Sequence, residues 1–393
     1  MLDGPELERA IATIMKRLQG VNALYIRKIA ARIKRIGELT PSSVNQLVAM
    51  ADMGADINEI REQLRLAVGA SAKELHDVFQ RALTETYQDP RFAAYLEENP
   101  DALQPEAAER VTRYAEAVYR QTAASMYNLS NTTAITLGYR NAIDKAVLAT
   151  STGVGSYTET MRDTIKQLGR AGMQVTYASG YHRRLDTAVR QNIVDAVRQI
   201  NKQASAMIGE ELGYDAVEIS AHSRSAPDHE PVQGRVFLRE DFENMQAGLP
   251  FRDVNGHLYE GFKRPISEWN CRHIPLSFST KYSKPVYTDE QLRRMADENQ
   301  KGCIINGKHK TLYEASQIMR NLETEVRRQK DTAVAAQAAG DDALRKECQR
   351  NINALVKQYA AVAKASGNDE KRQRMTVEGF KPVKVTAQSG KQH

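Results

Sequence analysis

The sequence predicts a mainly α fold with a small central α+β unit, a helical N-terminal region and a C-terminal helical hairpin. Three observations carry this expectation. Apolar residues recur at spacings of three and four over most of the chain, the period of a helix with one buried face. Aromatic residues make up only 6% with a single Trp, so the core must come largely from Ala, Leu, Ile, Val and Met. From His222 to Ser279 the texture changes: Pro and Gly become frequent, and four of the eight histidines and the only Trp fall there.

At 393 residues the chain has room for two or three domains. Its composition shifts suggest a helical N-terminal region 1–150, a central α+β core 151–281, a helical hairpin 282–365 and a basic flexible tail 366–393. In the first region Ile11, Ile14, Leu18 and Val21 form one helical stripe. A boundary is expected at 37–43, with Pro41 able to occupy a first helical turn. Asp56 and Ser71 read as N-caps, Ser71 with Glu74 giving the S-x-x-E capping box. Asp89-Pro90 opens a short helix that Asn99-Pro100 closes, and Val111, Tyr114, Val118 and Met126 mark a longer one. Residues 151–156 read as a turn or linker without the Lys-Ser/Thr of a phosphate-binding loop.

The strongest central helix carries Leu185, Val189, Ile193, Val197, Ile200, Ala204 and Met207, and ends at Leu212-Gly213 through a glycine C-cap. Residues 216–222 then alternate as a strand does. After Tyr282 the helical period returns. Leu312, Ala315, Ile318, Met319, Leu322 and Val326 form one stripe, and Leu344, Cys348, Ile352, Leu355, Tyr359 and Val362 a second. A turn at 338–342 joins them, so the two should pack antiparallel. Residues 366–393 are polar and basic and read as extended.

The net charge of +6 is uneven. Residues 281–393 hold 22 Lys and Arg against 14 Asp and Glu, a net of +8, which leaves −2 for the other 280. Such an end could touch the phosphates of double-stranded DNA without sequence preference, or could simply be a solvated helical face. Lys371-Arg372-Gln373-Arg374 carries the same pair of readings. Cys271, Cys303 and Cys348 are odd in number and far apart, which argues against a disulfide framework and for folding in a reducing cytoplasm. The acidic N-terminus does not open like a signal peptide, and no apolar run approaches the roughly 20 residues of a membrane-spanning helix.

Two clusters in the central region stand out. One runs His222-Ser-Arg224-Ser-Ala-Pro227-Asp228-His229-Glu230-Pro231-Val-Gln233-Gly234-Arg-Val236-Phe237. The other runs Gly261-Phe-Lys-Arg-Pro265-Ile266-Ser-Glu-Trp269-Asn270-Cys271-Arg272-His273-Ile-Pro275. Together, and in this order, they resemble the phage minor capsid protein 2 family, relatives of the Mu-type head morphogenesis proteins. That family's pattern is a strand ending in Ser-Ala-His, an Arg-Pro-x-His step, a Gln-Gly-x-Val-Tyr/Phe segment and a closing Asn-Cys-Arg-His. Here the second step is stretched to Arg224-Ser-Ala-Pro227-Asp228-His229, a departure that bears on Arg224. The match is expected over about 151–380 and to be weak before that. The resemblance implies a non-enzymatic head protein in the virion, made in the bacterial host cytoplasm. It further implies portal, capsid or scaffold partners and a part in head assembly, DNA packaging or delivery.

The residues themselves leave three chemical readings open. In the first, His222, His229, Cys271 and His273, with Gln233, Gly234, Asn270 and Arg272, hydrogen-bond loop backbone groups and hold two loops together. Trp269 would anchor that unit's core. In the second, His222, His229, Cys271 and His273 supply borderline-soft ligands to a zinc ion, although Cys-x-His is not the spacing of common structural sites. In the third, Cys271 is a nucleophile with a histidine base, its thiol pKa lowered by Arg272, or Arg272 instead pairs with Asp228 or Glu230. No fingerprint of an organic cofactor is present.

Overall fold

The computed structural model describes residues 4–38, 43–99, 101–133, 135–152, 157–177, 179–267 and 271–385. The elements run α1 (Gly4–Ala10), α2 (Ala12–Glu38), α3 (Ser43–Gly69), α4 (Ala72–Tyr87), α5 (Pro90–Glu98), α6 (Pro105–Thr132), α7 (Ile135–Thr152), α8 (Tyr157–Ala171), β1 (Gln174–Thr176) and β2 (His182–Arg184). They continue with α9 (Leu185–Glu211), β3 (Ala216–Ile219), β4 (Val236–Leu238), α10 (Arg239–Ala247), β5 (Phe251–Arg252), β6 (Leu258–Tyr259) and β7 (Pro275–Phe278). The last are α11 (Asp289–Lys301), β8 (Cys303–Ile305), β9 (Lys308–Lys310), α12 (Leu312–Ala339) and α13 (Asp342–Ser366). The fold is therefore mainly α with a small α+β portion, as the periodicity predicts.

Packing divides the chain into two compact units, each drawn from three separate stretches. One comprises Met1–Ile11, Lys73–Ala124 and Asn192–Ser316, the other Ala12–Ala72, Ser125–Gln191 and Gln317–His393.

In the first unit, β3 is the centre of a three-stranded antiparallel sheet of order β4-β3-β7. Ala216 pairs with Leu238 on one side and Phe278 on the other. The ladder stops at Ile219 because Ser220 turns its pairing to Ile274: its N–H donates to that carbonyl, and its hydroxyl accepts the Ile274 N–H at 2.8 Å. The strand expected to 222 is shorter for that reason, and His222 lies in a loop. Against the sheet packs an apolar cluster of Ile219, Val232, Phe237, Met245, Phe251 and Ile266. Asp89 caps α5 as expected, with Pro90 in the first turn. The same Asp89 and Glu218 of β3 grip the buried Arg91 guanidinium at 2.8 and 2.6 Å.

The hairpin β8–β9 was not anticipated from the helical period. Its turn is Asn306-Gly307, both with positive φ (51° and 75°), the dipeptide a two-residue hairpin favours. The adjoining α11 opens with a Thr288–Gln291 capping box.

In the second unit, Ile14, Leu18, Val21, Ile26, Ile29 and Ile33 bury the inner face of α2. Asp56, read from sequence as a cap, instead sits inside α3, where Arg32 at 2.9 Å and the Tyr139 hydroxyl at 2.5 Å bind its carboxylate. Ser71 does precede α4, but its hydroxyl donates back to the Ala67 carbonyl at 2.7 Å. The hairpin α12–α13 forms as expected, turning at Gly340 and capped by Asp341, which accepts the Leu344 N–H. Leu344, Cys348, Ile352, Tyr359 and Val362 are buried along it.

The C-terminal stretch corrects the expectation of an extended tail. After Gly367 the chain folds back and makes a 3-10 turn over Arg372–Met375, and Met375 and Val377 are buried. Tyr359 hydroxyl accepts the Lys371 N–H at 2.7 Å and donates to Glu323 at 3.0 Å. Lys330 Nζ reaches the Met375 carbonyl, and Gln349 accepts the Val383 N–H. Residues 386–393, like Pro41, Pro100 and most of the expected linker at 151–156, lie outside the described residues.

Candidate functional site

Both sequence clusters come together beside the three-stranded sheet. The loop from β3 to β4 brings in residues 220–235, and the segment entering β7 brings in 271–274. The first loop turns sharply at Gln233-Gly234. Gly234 has φ +68°, and a Cβ there would meet Leu292 Cδ2 at 2.4 Å, so the position demands glycine twice over. Its N–H returns to the Ile219 carbonyl at 2.7 Å and closes the loop on the strand it left.

Inside the loop, His229 is 0% exposed, and Cys271 and His273 are each 2% exposed. Cys271 Sγ lies 3.2 Å from His229 Nδ1 and 3.4 Å from His273 Nδ1. The outer nitrogens face other partners. His229 Nε2 sits 2.8 Å from the Arg264 carbonyl, an acceptor only, so that nitrogen carries the proton and donates. His273 Nε2 lies 3.2 Å from Ser225 Oγ and 3.4 Å from Gln233 Oε1. Ser225 hydroxyl itself donates to the Ala226 carbonyl, which leaves its lone pairs to accept from His273. His229 Nδ1 therefore faces the sulfur unprotonated, and His273 Nδ1 does the same when its Nε2 donates to Ser225.

Burial sets the electrostatics. It pushes the His273 pKa down to about 2, with His222 and His229 adding to the effect, and it lowers that of His229 as well. Burial also pushes the Cys271 thiol above its usual range. A buried thiol with a raised pKa is the reverse of an activated nucleophile. Arg272 is exposed. Asp228 is held by Arg264, Nε to Oδ2 at 2.8 Å and Nη2 to Oδ1 at 2.7 Å. Glu230 accepts from Asn299 and Gln300.

Of the four expected ligands, His229, Cys271 and His273 place one ligand atom each within 4.8 Å of one another. His222 stands apart from that trio. Its ring stacks on His273 at 4.4 Å with 19° between the planes, and its backbone N–H donates to Gln233 Oε1. Gln233 thus binds both sides of the stack, as a loop-holding residue should. Trp269 and Asn270 lie outside the described residues. Sequence reasoning missed Arg264, which touches His229 through its carbonyl and Asp228 through its guanidinium. It also missed Ser225. Neither residue type signals chemistry alone, though Arg264 falls within the second cluster.

The chain matches a family model, phage minor capsid protein 2, over residues 4–362. It belongs to that family. It is accordingly a structural phage protein, a minor component of the capsid, and other phage head proteins are its partners. The match starts at residue 4, so the N-terminal helices of this minor capsid protein belong to it, far upstream of the 151–380 expected from the two motifs. No curated protein and no solved structure matches the chain. Among the described residues no helix is long and apolar enough to cross a membrane.

Proposed function

We propose that this minor capsid protein acts by contact rather than turnover, at the portal vertex or the capsid interior, during head assembly, DNA packaging or delivery. The observation that carries the reading is the family match across nearly the whole chain, helical regions and central unit alike. The chemistry of the central cluster supports it. Cys271 is sealed from solvent and its thiol pKa is raised, so a Cys-dependent hydrolase has neither access nor a poised nucleophile there. Portal protein is the favoured partner, with capsid and scaffold proteins next, and the location is the virion.

Contact with packaged DNA through the basic C-terminal region is a weaker part of the reading. Some of that charge is engaged internally: Arg372 pairs with Glu370, Arg374 approaches Glu323 at 3.7 Å, and Lys330 binds the Met375 carbonyl.

The test is co-expression with the portal, major capsid and scaffold proteins of the same phage, followed by size-exclusion chromatography. A complex with portal at low stoichiometry is expected. Migration as a free chain beside every one of these proteins would overturn the reading.

A further inference from the structure

The trio at the heart of the central unit poses a hydrogen-bond accounting problem. Each outer nitrogen has a protein acceptor, so each inner Nδ1 presents a lone pair to Cys271 Sγ, at 3.2 and 3.4 Å. A thiol has one proton and can serve one of those lone pairs. Neutral tautomers meet this only if Ser225 gives its hydroxyl proton to His273 Nε2, which forfeits its bond to the Ala226 carbonyl and turns the His273 proton to the sulfur. A single cation at the centre of the trio satisfies both nitrogens and the sulfur at once.

We propose that His229 Nδ1, His273 Nδ1 and Cys271 Sγ bind one zinc ion that staples the β3–β4 loop to the segment entering β7. Zinc–nitrogen and zinc–sulfur bonds of about 2.0 and 2.3 Å at tetrahedral angles place N and S roughly 3.6 Å apart. The two separations here, 3.2 and 3.4 Å, are close to that value. The outer contacts have the form usual for ligating histidines, whose second ring nitrogen donates to a carbonyl or another fixed oxygen. Arg264 O holds His229 in this way, and Ser225 with Gln233 holds His273.

His222 is not a ligand. Each ring's lone pairs lie in its own plane, and the two stacked planes are only 19° apart with centroids 4.4 Å apart, so His222 and His273 cannot converge on one ion. The ion would tie the two segments together beyond the Ser220–Ile274 pair, next to the apolar cluster of Ile219, Val232 and Ile266. This assignment is independent of which head protein the chain contacts, and either reading can fail without the other.

The test uses the full-length, untagged protein from zinc-supplemented culture, with metal measured by plasma mass spectrometry. About one zinc per chain is expected in wild type. Cobalt exchanged into wild type should give a thiolate-to-metal charge-transfer absorption and the ligand-field bands of a tetrahedral site. Cys271→Ser should abolish the charge-transfer band, His229→Gln should cut bound metal at least tenfold, and His222→Phe should leave both signals intact. Wild-type protein that melts cooperatively with less than about a tenth of a zinc per chain and shows no thiolate–cobalt band would overturn the proposal. So would a charge-transfer band that persists in Cys271→Ser. The wild-type readings decide the matter even if a ligand variant fails to fold.

Discussion

Gly209 of α9 lies so close to Ser277 of β7 that a Cβ on the glycine would come within 2.2 Å of the serine Cβ. One helical turn earlier, Ser205 accepts the Ser277 backbone N–H at 2.9 Å. This small-residue contact seats the long helix on the edge strand of the sheet and leaves no slack. Gly209→Ala gains helix propensity, worth up to about 1 kcal/mol, but must push helix and strand apart. The clash dominates, and a net loss of about 1–3 kcal/mol is expected from the shift in urea midpoint. A neutral or stabilising result would mean that α9 and β7 do not meet as described.

Arg91 is buried between Asp89 and Glu218, and its removal leaves a carboxylate in the middle of β3 without its cation. Burial already pushes the Glu218 carboxyl up, so that site tolerates the neutral acid better than a bare charge. Arg91→Ala should cost about 3–5 kcal/mol, the usual penalty for breaking one side of a buried pair. Glu218→Gln should cost less, because the Val286 N–H keeps an oxygen acceptor. Equilibrium denaturation of both variants checks the order, and the reverse order would contradict it.

Asp341 both caps α13 and accepts from Arg162 Nε at 3.0 Å. Burial pushes its carboxyl up, but the Arg162 hydrogen bond and the cap N–H groups outweigh that and hold it below the usual aspartate range. A depressed carboxylate contributes its stability in full above the unfolded value of about 3.9, and loses it as pH falls through the lower folded value. Asp341→Ala should therefore cost about 1–2 kcal/mol at pH 7. The difference from wild type should hold down to about pH 5 and shrink below about pH 4. A gap that persists unchanged at pH 3 would show that the charge is not the source.

The helices were legible because their signal is local. The stripe from Leu185 to Ala204 and the pair of stripes around Gly340 each fix a buried face without reference to the rest of the chain. What escaped was information carried by pairs distant in sequence. Asp56 has the residue type of a cap, yet Arg32 and Tyr139, remote along the chain, keep it inside a helix. The polar tail folds back because Tyr359 offers a hydroxyl to Lys371 and Met375 finds a pocket, which composition alone does not reveal. The β8–β9 hairpin is a different kind of miss. Ile304-Ile305-Asn306-Gly307 carried a local turn signal that the surrounding helical period overshadowed. In the central cluster, residue types named His229, Cys271 and His273, but only the fold separates them from His222, which stacks where a ligand was expected.

The central claim is that this chain is a working part of the phage head. Quantitative mass spectrometry of gradient-purified particles of the phage that encodes it tests this most directly. The account predicts the chain in DNA-filled heads at a small, fixed copy number, far below that of the major capsid protein. Its absence from purified heads, or a copy number equal to the major capsid protein, would contradict the claim.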